Sequence, residues 1–196
     1  MAWNKVDLKL LCLFATGRKF IMETGGGGLS TKKLGKVARN NGSIMVSIEV
    51  DSNRVKSIKG VDHQVGWSVG YEDMVREWDK EFIDWGEEKY HYADRSVVLY
   101  GEEYMKGKRD LIRKSIEKYG PPDFFFCDTG AYCGLAEWNI VKEVIPINGI
   151  FACHDIYYPK SIKCFQVSKN IEDSDQWEVL HKTKSKQGLL ISRCVK

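Results

Sequence analysis

The run Lys19-Phe-Ile-Met-Glu-Thr-Gly-Gly-Gly-Gly-Leu-Ser-Thr31, followed shortly by Ser43-Ile-Met-Val-Ser-Ile-Glu49, decides the fold of this chain. Phe20, Ile21 and Met22 read as a buried strand and Gly25 to Gly28 as a loop. Residues 32–39 read as a helix that Ser30 or Thr31 can cap. Asn40-Asn41-Gly42 stops that helix, and the apolar, β-branched run 43–49 reads as a second buried strand. Strand, glycine loop, helix and strand make a β-α-β unit. Further strand-like runs lie at 96–100, 123–128, 149–153 and 188–192, with helical stretches at 102–119 and 135–144. This alternation predicts an α/β chain with a mostly parallel sheet covered on both faces.

A chain of 196 residues with 43% hydrophobic and 12% aromatic residues has the length and apolar content of one domain with a sizeable core, here residues 1–196. The stretch at about 52–94 is longer than a crossover needs and reads as an insert. Met74, Trp78, Phe82 and Trp85 recur in it at helical spacing, which suits a packing helix, a lid or acceptor pocket, or a homodimer face. Thirty basic and 27 acidic residues give a net charge of only +3, and the lysines are dispersed along the sequence. That pattern does not call for a nucleic-acid partner. Lys182, Lys184 and Lys186 read as a solvated hairpin loop. The six cysteines show no zinc-type or C-x-x-C spacing, so free thiols are expected. The apolar stretch 8–15 is short and interrupted by Lys9, and no segment has the roughly twenty apolar residues of a membrane span. A cytoplasmic protein with no membrane partner is the expectation.

The neighbours of the glycine loop indicate what it binds. A phosphate-binding P-loop needs Gly-Lys-Ser/Thr at the helix start, whereas here the order is Gly28-Leu29-Ser30-Thr31-Lys32. A dinucleotide fingerprint begun at Gly25 would need a glycine where Ser30 stands, and Glu23 would set an anion beside the pyrophosphate. S-adenosylmethionine has no phosphate and carries an ammonium and a sulfonium, so a carboxylate at the end of the first strand favours it. Glu49, ending the second strand, is placed to accept hydrogen bonds from both ribose hydroxyls. Glu49 alone would suit a nicotinamide cofactor as well; Glu23 and Glu49 together favour S-adenosylmethionine.

The two segments Glu23-Thr-Gly-Gly-Gly-Gly-Leu-Ser-Thr31 and Val46-Ser-Ile-Glu-Val-Asp51 resemble the first two motifs of class I S-adenosylmethionine-dependent methyltransferases. The likeness is to the small O-methyltransferases of the catechol, sugar and macrolide kind. Asp123-Phe-Phe-Phe-Cys-Asp128 and Gly149-Ile-Phe-Ala-Cys-His-Asp155 resemble that family's fourth and fifth strands, and 177–180 with 188–192 resembles its closing hairpin. The resemblance covers most of the chain outside 52–94. It implies a Rossmann-like doubly wound, mostly parallel seven-stranded sheet with a C-terminal antiparallel hairpin and helices on both faces. Departures are a glycine loop one residue short and Asn148-Gly149 in place of Gly-Gly.

The resemblance also implies the site. Glu23, Thr24, Gly25, Gly26, Gly28 and Ser30, then Glu49 and Val50, Glu102 after the expected third strand at 96–100, and Asp128 would bind the cofactor. Asp128, His154 and Asp155 would carry the chemistry, and in metal-dependent relatives these positions hold magnesium or another divalent ion. His154 suits a metal ligand, a general base, or a structural histidine. Tyr132, Tyr157 and Tyr158 flank these residues and could shape an acceptor site or simply pack. The expected activity is methyl transfer to a hydroxyl of a small-molecule acceptor. Alternatives are a non-catalytic cofactor- or nucleoside-binding domain of the same fold and a nicotinamide-dependent oxidoreductase.

Overall fold

The computed structural model describes residues 4–74, 93–157, 163–183 and 187–196. In these residues the elements run α1 (Lys5–Ala15), β1 (Phe20–Thr24), α2 (Leu29–Asn41), β2 (Ile44–Glu49), β3 (Asp62–Val65), α3 (Ala93–Tyr100), α4 (Leu111–Tyr119), β4 (Phe124–Cys127), α5 (Gly134–Val141), β5 (Ile150–His154), α6 (Phe165–Glu172), β6 (Trp177–Lys182) and β7 (Leu189–Cys194). One seven-stranded sheet has the order β3-β2-β1-β4-β5-β7-β6. Strands β1 to β5 pair in parallel, and β7 runs antiparallel to both β5 and β6. This is the doubly wound sheet with a terminal hairpin that the sequence predicts. The order reverses between β1 and β4, and a crevice opens there at the carboxyl ends of the strands.

Each central strand is buried on both sides, so alternate residues feed two cores. Ile21, Met45, Phe124, Phe126 and Ala152 join Leu8 and Leu11 of α1 and Leu34 and Ala38 of α2. Phe20, Met22, Val46, Phe125 and Phe151 join Val97 of α3, Leu111 and Ile112 of α4, Trp138 of α5 and Val167 of α6. Trp138 packs edge-on against Phe151 at 4.8 Å and lies 4.9 Å from the Trp177 ring, locking α5 onto β5 and the hairpin. Burying one such large apolar side chain contributes about 1.5–3 kcal/mol.

The third strand is not where the sequence places it. Residues 96–100 form the end of α3, and the third strand is Asp62-His-Gln-Val65 at the sheet edge, within the supposed insert. An edge strand has no neighbour on one side and is half-buried here, so it carries none of the apolar run that marks the inner strands. The helix expected over 102–119 is likewise broken, with a short 3-10 turn at Glu102–Tyr104 and an α-helix only from Leu111. Asn148 before β5 has φ +67°, a left-handed conformation that asparagine tolerates, and so stands in for the glycine of the common pattern. All six cysteines are free, and among the described residues no helix is long and apolar enough to cross a membrane. Trp78, Phe82, Trp85, Tyr158, Lys184 and Lys186 lie outside the described residues.

Candidate active site

The glycine loop is shaped by what each glycine touches. A Cβ on Gly25, which has φ +69°, would sit 1.9 Å from the Asp128 carbonyl oxygen, and one on Gly26 would sit 2.0 Å from Ser47 Oγ. Gly27, at φ +88°, would meet the Arg54 carbonyl at 2.3 Å, while Gly28 faces open space. The first three glycines therefore let the loop close onto β4, β2 and the turn after β2. Gly28 itself is the N-cap of α2, so neither Ser30 nor Thr31 caps it. Thr31 Oγ1 instead accepts the Gly27 N–H at 2.8 Å and holds the loop.

Around the crevice stand Gly25, Glu49, Val50, Arg54, Trp67, Ser68, Asp94, Asp128, Thr129 and Lys163, among others. Glu49 is 3% exposed; its Oε1 accepts the Asp51 N–H at 3.1 Å and its Oε2 lies 3.2 Å from Arg54 Nη1. Burial pushes its carboxyl above the ordinary range, against the pull of the Asp51 amide and Arg54. Glu23 does not line the crevice. It is fully buried beneath Gly26, accepts a hydrogen bond from Ser47 Oγ at 3.2 Å, and is pushed up to about 7 by burial, against the hydroxyls of Ser30, Thr31 and Ser47. Thr24 also turns away, donating to Glu137 Oε2 at 2.6 Å.

Glu137 is a residue that sequence reasoning missed. Fully buried, it accepts from Thr24 on β1, from Ser68 after β3 and from Cys127 Sγ on β4, so one carboxylate ties together three strand ends that frame the crevice. Asp94 of α3 was missed as well. Its Oδ2 accepts the Tyr132 and Cys133 N–H groups at 2.6 and 3.3 Å, just ahead of α5, and Gly130 leaves the space it needs. Trp67 donates its indole N–H to the Lys106 carbonyl at 2.9 Å, fixing its ring at the crevice. These three follow from the correct third strand and from the α3–α5 contact, neither of which a local pattern shows.

Glu102 is not part of the crevice. It is 57% exposed on the 3-10 turn and paired with Arg109. The residues that follow the true third strand are Gly66, Trp67 and Ser68, and all three line the crevice.

At the ends of β4 and β5 the expected triad does gather: ligand atoms of Asp128, His154 and Asp155 lie within 4.8 Å of one another. His154 Nδ1 is 3.3 Å from Asp155 Oδ1 and 3.6 Å from Asp128 Oδ1. Asp155 holds φ +62°, rare for a residue with a side chain, and is 1% exposed. A fourth group, absent from the sequence reading, completes the cluster: Lys163 Nζ lies 3.1 Å from Asp155 Oδ2 and 3.6 Å from Asp128 Oδ1. Burial would raise the Asp128 carboxyl, but Lys163 and His154 outweigh it and hold it below the usual range. Burial would lower the His154 imidazole, but the two aspartates outweigh it and raise it. Asp128 and Lys163 face the crevice, with His154 and Asp155 behind them. Tyr132 is fully buried and packs in the core, and Tyr157 donates its hydroxyl to the Thr183 carbonyl at 2.7 Å.

The three donors alone would suit a divalent ion. With an ammonium already 3.1 and 3.6 Å from two of them, they do not fit one, because ion and ammonium would share the same carboxylates at repulsive range.

No protein-family model matches the sequence, and no curated protein is similar to it in sequence. Solved structures are similar in fold. An O-methyltransferase from Bacillus cereus in complex with S-adenosylhomocysteine superposes with a TM-score of 0.56 at 14% identity, over 98% of this chain and 82% of that one. The O-methyltransferase TomG from Streptomyces achromogenes, in complex with S-adenosylmethionine, gives 0.55 at 14%, over 100% and 82%. The MycE methyltransferase of the mycinamycin pathway, in complex with Mg, S-adenosylhomocysteine and mycinamycin VI, gives 0.53 at 12%, over 91% and 45%. The chain thus has the fold of the class I S-adenosylmethionine-dependent O-methyltransferases.

Proposed function

We propose that the protein is an S-adenosylmethionine-dependent methyltransferase acting on a hydroxyl of a small-molecule acceptor. One observation carries the reading: a crevice at the β1/β4 reversal has the strand-end acid Glu49 on one wall and the Asp128–Lys163 pair on the other. The complexes of TomG and the Bacillus cereus enzyme with S-adenosylmethionine and S-adenosylhomocysteine, on the same fold, support it. Glu49 accepts the ribose hydroxyls, Trp67 offers its face to the base, and Gly25 lets the ligand approach the main chain. Glu23, under the loop, supplies negative charge toward the ammonium and sulfonium.

Transfer is an in-line displacement in which the acceptor oxygen forms a bond to the methyl carbon as the carbon–sulfur bond breaks and the sulfonium becomes a neutral thioether. The chain has to align the two and take one proton. Alignment is worth about 7–11 kcal/mol in well-oriented reactions. Asp128 accepts the hydrogen bond of the acceptor hydroxyl, and the proton released is held by the coupled Asp128–His154 pair. Asp155 orients His154 from behind. No step runs through a metal.

Methyl transfer from labelled S-adenosylmethionine to a panel of catechols, sugars and hydroxylated polyketides tests the proposal. Label should appear in at least one ether product and fall about 10²-fold or more in Asp128→Asn. Label transfer to no hydroxyl by a protein that binds the cofactor would leave a non-catalytic binding domain as the better reading.

A further inference from the structure

We infer that Lys163 is the resident cation of the Asp128–His154–Asp155 cluster, standing in the place a divalent metal would take, so that the protein works without one. The lysine is built in rather than draped over the acids. Its side chain is 12% exposed, and a Cβ on Gly134 would meet its carbonyl oxygen at 2.3 Å, so the Lys163 main chain is packed against the start of α5. The next residue, Cys164, is fully buried; its N–H donates to the Asp155 carbonyl at 3.3 Å and its Sγ lies 3.5 Å from Cys127 Sγ. The main chain of Lys163 and Cys164 is thereby tied to the start of α5 and the end of β5, and the Cys164 side chain lies against β4.

Charge counting supports the assignment. Two ionised aspartates and one ammonium leave the cluster at −1 with His154 neutral and at zero with it protonated. A dication would carry it to +1 or +2 in a largely buried site, at a cost that the same donors without Lys163 would not face. Asp94, whose Oδ2 accepts the Tyr132 and Cys133 N–H groups, also feels the Lys163 charge. The consequence for catalysis rests on the methyltransferase reading: a fixed positive charge beside Asp128 stabilises the negative charge that develops on the acceptor oxygen, as a metal would.

Manganese binding, followed by loss of the free-ion electron paramagnetic resonance signal, tests this without cofactor or acceptor, so it stands or falls separately from the methyl-transfer assay. The wild type should leave the manganese signal unchanged. Lys163→Ala should bind one ion, at least about tenfold more tightly than the wild type, and Lys163→Arg, which keeps the charge, should not. Stoichiometric binding by the wild type that is lost in Asp128→Asn would overturn the inference. So would a folded Lys163→Ala, verified by circular dichroism, that gains no affinity. If labelled product is found, its rate should not change on adding EDTA.

Discussion

The two halves of the crevice hold their charge in opposite ways. On the β1–α2–β2 side, Glu23 and Glu49 are acids driven above their ordinary range by burial; Glu23 is bonded by hydroxyls and further raised by the Asp128 charge, and Glu49 has a largely exposed arginine. On the β4–β5 side, Asp128 is held below its ordinary range because Lys163 and His154 are already beside it. The first half is short of positive charge, which a cationic ligand would bring; the second contains its own. A site that binds a sulfonium and activates a hydroxyl needs this difference.

The glycine loop offers the largest effect that would break the comparison. Gly25→Ala drives a Cβ into the Asp128 carbonyl at a left-handed backbone position, which should destabilise the fold by about 3 kcal/mol or more and couple the failure of both halves. Gly28→Ala, in open space, should cost less than about 1 kcal/mol, the loss of a glycine N-cap. Thermal unfolding of the two variants checks this.

The acid–cation imbalance of the first half makes a pH-dependent signature. Because the folded-state pKa of Glu23 is raised to about 7, the unfolded chain loses its proton first as pH rises. Stability of the ligand-free protein should therefore fall between about pH 4.5 and 7, by up to about 3 kcal/mol. Over the same window S-adenosylmethionine should bind more tightly as the carboxylate ionises. Glu23→Gln should flatten both curves, and urea unfolding and calorimetry at several pH values read them. The second half carries the opposite sign through Asp128: its folded pKa is lowered, so the stability it contributes is present above its ordinary pKa and is lost as pH falls through the lowered one, whereas His154, with a raised pKa, follows the sign of Glu23.

A smaller effect sharpens the boundary of the cofactor half. Trp67→Ala should weaken S-adenosylhomocysteine binding about tenfold, whereas Glu102→Ala, on an exposed turn, should leave it unchanged within error. Equal losses in both would restore the sequence-based placement of the third strand.

How much of this was legible in the sequence follows from how local each signal is. The β1–α2–β2 unit, the inner strands and the gathering of Asp128, His154 and Asp155 were legible, because a buried parallel strand is an apolar run and its end is marked by the first acid. The edge strand β3 was not, since half-buried Asp62, His63 and Gln64 carry no such run, and the error displaced Glu102 into a site that Trp67 occupies. Lys163 and Asp94 reach the crevice, and Glu137 the strand ends that frame it, from helices or helix entrances distant in sequence, so nothing in their neighbours marks them. Dispersed lysines behave the same way: Lys5, Lys9, Lys33 and Lys36 look scattered along the chain but line one groove between α1 and α2.

The most direct test of the central claim is calorimetric titration of the purified protein with S-adenosylhomocysteine, with NAD as the control and Glu49→Gln as the site probe. Micromolar binding of S-adenosylhomocysteine is expected, weakened about tenfold to a hundredfold by Glu49→Gln, with no binding of NAD. Tighter binding of NAD, or S-adenosylhomocysteine affinity indifferent to Glu49, would contradict the claim.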